Sequence, residues 1–153
     1  MKHFYKLLLS LIILFPICSK AQSNYEPGYV VTLSGDTLHG YIDYKEWDSN
    51  PQKISFKKDI GSNEKQEYSP KNAGAFEVTG FETYKQFAIW VSQDKLDVSE
   101  LSKGIDSTKK RNTVFLRVLN SGKNVTLYAY NDDLKERFYI QEGNNEPYEL
   151  ILQ

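Results

Sequence analysis

The chain is predicted to be all-β: an antiparallel roll, sandwich or small barrel of about eight or nine strands following a cleaved export signal. Three observations predict this. Beyond residue 22 the apolar residues come in short alternating runs separated by Gly, Asn, Asp, Ser and Pro, the texture of strands and turns. Aromatic residues make up 14% of the chain, with tyrosine the most frequent of them, and these side chains favour strands. No window past residue 22 keeps a 3.6-residue apolar stripe for three turns, and none reaches the length of a membrane-spanning helix.

The amino-terminal segment reads as an address rather than as structure. Lys2 and Lys6 precede an apolar run from Leu7 to Cys18, and Ser19-Lys20-Ala21 places small residues at the first and third positions before Gln22. This is the pattern of a secretory signal peptide, residues 1–21, cut between Ala21 and Gln22. Lipidation at Cys18 is the competing reading, and the bulky Phe15-Pro16-Ile17 before it argues against that. Cleavage after Ala21 removes the only cysteine, so residues 22–153 are expected to form a single β-rich domain with no disulfide. It also removes three of the 19 basic residues and none of the 20 acidic ones, which moves the net charge from −1 to −4.

Gly28 to Leu33 is a strand that reverses through Ser34-Gly35-Asp36 and returns as Thr37 to Tyr44. Tyr29, Val31 and Leu33 share one face of the first arm; Leu38, Ile42 and Tyr44 share a face of the second, and Gly40 marks a bulge or a close backbone approach. Trp47 to Pro51 is a turn, and Lys53 to Lys57 alternates with Ile54 and Phe56 inward. Residues 59–72 are polar, with a short strand at Gln66 to Tyr68. Ala75 to Val78 and Thr83 to Ser92 form a second hairpin about Gly80; Phe87, Ile89 and Val91 oppose Ala88 and Trp90, as in a central strand. Asp94 to Asn112 is a long loop with an optional short helix. Thr113 to Leu119, Asn124 to Tyr130, Leu134 to Gln141 and Tyr148 to Leu152 form a closing meander with short turns.

Several chemistries are excluded by inventory. After the signal only His39 remains as an imidazole, with no Gly-x-Ser-x-Gly elbow, so a serine–histidine nucleophile is not expected. One histidine without cysteine makes a dedicated zinc site improbable, and no cofactor is expected. Asn131-Asp132-Asp133 and Asn144-Asn145-Glu146 read as turn chemistry rather than as calcium loops. Gly104 to Lys110 has no glycine directly before its lysine, so it is not a phosphate loop, and no nucleotide partner is expected. Lys109-Lys110-Arg111 reads as a solvated loop in an acidic chain rather than as a nucleic-acid footprint.

Recognition candidates remain. Trp47, in a turn, is read as the surface anchor, and Trp90, in an apolar strand, as core. Tyr148 opens an uncapped last strand that could add to a partner's sheet. Asp43, Glu46 and Asp48 flank Trp47 and are the carboxylates available to a glycan-acting hydrolase, the alternative to a non-catalytic module.

Gly28 to Thr32, Gly35 to Asp43, Trp47, Asn50-Pro51 and Ile54-Ser55-Phe56 resemble the start of a family of uncharacterised exported proteins of Gram-negative bacteria. The similarity continues through Val114 to Leu119, Tyr128 to Asp132 and Arg137-Phe138-Tyr139. The resemblance implies an extracytoplasmic β-rich domain, periplasmic or outer-membrane associated and sometimes placed ahead of an outer-membrane β-barrel. A chain ending at Gln153 is then either a stand-alone version or a shortened one. The expectation from residues and resemblance together is an exported binding or structural module of the cell envelope, not membrane-spanning once mature. Its partner would be an envelope protein, an outer-membrane barrel among the candidates, or a glycan.

Overall fold

A computed structural model describes residues 24–94 and 108–151. The cleavage position Ala21–Gln22, the optional helix within 95–107 and Leu152 lie outside them. The described residues form ten strands: β1 (Tyr25–Thr32), β2 (Thr37–Asp43), β3 (Ile54–Lys57), β4 (Gln66–Tyr68), β5 (Ala73–Val78), β6 (Glu82–Ser92), β7 (Lys109–Ser121), β8 (Val125–Asn131), β9 (Glu136–Glu142) and β10 (Tyr148–Glu149). All belong to one antiparallel sheet of order β10-β9-β8-β7-β6-β5-β1-β2-β3-β4. The all-β expectation holds, as an open rolled sheet rather than a closed barrel. None of the described residues forms a helix long and apolar enough to cross a membrane.

The connections force the sheet to roll. In a flat sheet β4 and β5 would stand four strand spacings apart, about 19 Å. They are joined by a tight turn in which the Ala73 amide donates to the Ser69 carbonyl, so the two strands must approach each other. The enclosed face buries Val30, Ile42, Ile54, Phe56, Tyr68, Phe76 and Tyr84. On β2 the expected face is the buried one. On β1 it is the opposite: Val30 is fully buried, whereas Leu33 is exposed. The reason lies in the register, which pairs Val30 with Leu38 on one side and Phe76 on the other, so the core side of β2 and β5 selects the even residues of β1.

Partway along β6 the sheet changes its buried face. Tyr84 lies in the first core, but Ile89 and Val91, of opposite parity, lie in a second core with Leu116, Tyr128 and Tyr139. Strands β6 to β10 therefore roll the other way. The roll is closed by side chains in place of a backbone ladder. At the end of β6, beyond its pairing with β5, the Trp90 carbonyl accepts from the Tyr139 hydroxyl (3.1 Å) and the Ser92 carbonyl accepts from Arg137 Nη2 (2.7 Å) and Nε (3.0 Å). The Ser92 amide donates to the Glu149 carboxylate (3.1 Å). Arg137, only 3% exposed, also donates to Asp132 (2.9 Å) and to the Lys135 carbonyl.

Strands β7 and β8 separate before their ends. They pair from Arg117 with Ala129 to Ser121 with Thr126, whereas β7 continues along β6 as far as Lys109. The basic cluster Lys109-Lys110-Arg111, expected in a loop, is thus the exposed start of a strand, held there by pairing with Ser92, Val91 and Trp90. The last strand is shorter than the expected Tyr148 to Leu152. Regular pairing in β10 covers Tyr148–Glu149 and is followed by one further backbone bond, from the Leu150 amide to the Phe138 carbonyl.

Burial sets a pH limit. Tyr84 and Tyr139 are pushed well above the ordinary tyrosine value by desolvation, then by nearby Glu82 and Glu149 respectively, and Tyr128 is raised by desolvation. A raised folded-state value gives stability that is whole below the unfolded value and is lost as pH rises through it, so urea midpoints are expected to be level near neutrality and to fall above about pH 10. Urea midpoints that stay level as pH is raised well past the ordinary tyrosine value would contradict this.

Candidate functional site

The described residue most suited to recognition sits on the outer side of the seam where β10 approaches β6. Since the second half of β6 buries Ile89 and Val91, the alternate residue Trp90 must face out, and it is 52% exposed. Arg111 lies directly opposite it on β7. Its guanidinium carbon stands 5.6 Å from the indole centroid, and its two terminal nitrogens reach the two Glu146 carboxylate oxygens at 3.1 and 3.2 Å. A forked ion pair thus orients a cation against an aromatic face. Tyr148, 51% exposed, completes the rim. Its hydroxyl donates to Glu142 (3.0 Å), and that bond raises the group above its ordinary value, favouring the neutral phenol. With Lys109, Pro147 and Glu149 these residues line an open groove of about 680 Å³.

The outer face continues as an apolar strip. Leu127, Ile140 and Tyr148 stand in one register row across β8, β9 and β10, with exposed Phe138 and Leu150 in the neighbouring row. Tyr148 therefore joins an aromatic and cationic groove to an apolar surface. The chemistry available here is stacking, hydrogen bonding and charge pairing.

The sequence candidates fare differently. Tyr148 is exposed on β10, the last strand of the sheet, whose Glu149 meets the end of β6. The two tryptophans exchange roles. Trp47, read as the surface anchor, packs against the first core, its ring 5.3 Å from Tyr44 and 5.8 Å from both Phe76 and Tyr84. The cause is Asn50, whose amide nitrogen donates to the Phe115 and Ala129 carbonyls and draws the whole turn over the sheet. Trp90, read as core, is the exposed one. Asp43 is half-buried with Lys45 at 3.7 Å, and Glu46 is exposed at a positive φ of 47°. Asp48 is exposed, and its carbonyl accepts from Asn131. None of the three lines either this groove or the one between β7 and β8.

Other expectations find a concrete place. Asp132 is a turn residue: its Oδ1 accepts from the Leu134 and Lys135 amides as well as from Arg137. His39 is exposed beside the Tyr29 ring. Among the described residues no group of three His, Cys, Asp or Glu side chains could hold a metal ion. Arg111 and Arg137 were not legible as special, because an arginine on a strand carries no periodic signal. For Trp90 a signal existed: Phe87, Ile89 and Val91 outweigh Ala88 and Trp90, which favours burial of the odd residues. Comparisons with protein-family profiles, with curated proteins and with solved structures return no match to this chain.

Proposed function

We propose that this protein is an exported, non-catalytic binding module of a bacterial cell envelope that holds a partner protein at the β6–β10 seam. The observation that carries the reading is the exposed Trp90 with Arg111 fixed across it by Glu146. Trp, Tyr and Arg dominate the energetics of protein interfaces, and a side chain ordered before binding loses less freedom on contact. The signal-like start and the resemblance to exported envelope proteins support the compartment.

Crosslinking in intact cells expressing the full chain tests both parts. The recovered protein is expected to begin at Gln22 by intact mass and to yield a specific protein adduct. Trp90→Ala should lower that adduct about tenfold while costing no more than about 1 kcal/mol of stability, the size of a half-exposed cross-strand pair. An adduct unaffected by Trp90→Ala would remove the seam from the proposal. Cleavage of envelope glycan that vanished on replacing Asp43, Glu46 or Asp48 would replace it with the hydrolase reading.

A further inference from the structure

Strand β7 uses only one of its two edges along its first half. It pairs with β6 from Lys109 to Arg117, but with β8 only from Arg117 onward. The Phe115 carbonyl points to the β8 side, where it accepts from Asn50 at 2.8 Å. Both backbone groups of a strand residue point the same way and alternate along the strand, so the N–H and C=O of Thr113 and Arg111 also face that side. Among the described residues no strand pairs with them there.

Asn50 acts as the last rung before the gap. Its carboxamide joins the Phe115 carbonyl to the Asn131 amide (2.9 Å), bridging the two strands where their own ladder has ended. Beyond it lies a groove of about 270 Å³ with apolar walls from Pro51, Pro70, Val114 and Tyr130. Among the described residues no acid lines this groove, whereas Lys71 does. Outward-facing donors and acceptors at two-residue spacing match an extended backbone, and the charge matches an acidic one.

The geometry points to a second binding site, on the β8-facing edge of β7 and adjoining the seam at Arg111: an extended acidic peptide segment of a partner protein adds to β7 along Arg111 to Phe115, continuing the ladder from the rung that Asn50 supplies. The free edge itself is measurable. In the protein as purified, the Arg111 and Thr113 amides should exchange with solvent faster than those of Asn112 and Val114, which face β6.

The binding test uses the acetylated, amidated peptide Asp-Val-Thr-Val-Asp followed by amide NMR. Addition should shift the Arg111 and Thr113 resonances and slow their exchange. Methylating one alternate set of peptide amides should weaken binding about tenfold or more, and methylating the other set should not, because only one set faces β7. Thr113→Pro removes an outward N–H without touching the β6 ladder and should also abolish the shifts. Protected Arg111 and Thr113 amides in the free protein, no shifts at millimolar peptide, or equal binding by both methylated peptides would overturn the site. The two methylated peptides decide the matter even where Thr113→Pro fails to fold.

Discussion

Gly40→Ala is expected to destabilise the protein by about 3 kcal/mol or more, a large share of a single domain's stability. A Cβ at this position would lie 2.2 Å from the Lys57 carbonyl oxygen and 2.5 Å from the Phe56 ring. A buried aromatic and a strand backbone cannot both withdraw, since Phe56 fills the first core and Lys57 pairs with Tyr41. Gly28 lies directly opposite Gly40, and its Cβ would meet the Glu77 carbonyl oxygen at 2.2 Å, so Gly28→Ala should behave likewise. Gly74→Ala is the control, because its nearest contact would be an ordinary 3.7 Å. Urea unfolding of the three variants checks this; a Gly40→Ala midpoint equal to that of Gly74→Ala would show that β3 can shift outward freely.

Arg137→Met should cost about 3–5 kcal/mol, the range for removing one partner of a buried ion pair. The substitution leaves the Ser92 carbonyl without its two guanidinium bonds, Asp132 without its cation and buried Glu149 without the charge 3.9 Å away. Acid stability reports the same network. Burial pushes the Asp132 carboxyl up, but hydrogen bonds from Arg137 and from the Lys135 and Leu134 amides together bring it below the ordinary value. Asp94 is lowered chiefly by its hydrogen bond from Lys135. A depressed folded-state value gives stability that is present above the unfolded value and lost as pH falls through the folded one, so the parent protein should weaken below about pH 4. In Arg137→Met that acid limb should be shallower, since part of what protonation removes is already gone. A variant as stable as the parent, with an unchanged acid limb, would show that the seam closes without its arginine.

Local pattern carried most of the strand map. The hairpin at Ser34-Gly35-Asp36, the inward Ile54 and Phe56, the short strand at Gln66–Tyr68 and the turn at Gly80 follow from alternation and from residues suited to positive φ, as Gly35 and Gly80 show at 93° and 83°. These features depend on a few consecutive residues, so the sequence contains their cause. Gly40 lies between the two levels. Its interruption of a strand announced a close approach, but only the register of β2 with β3 names Lys57 and Phe56 as what approaches.

Strands and turns are thus properties that neighbouring residues carry. Which face each strand buries is not, because burial depends on partners far along the chain. One sheet rolled in two opposite directions makes the odd residues of β6 core and leaves Trp90 outside, while a single asparagine bonding to carbonyls 65 and 79 residues away folds Trp47 inward. Alternation states that two faces differ; only the packing of distant strands states which of them meets water.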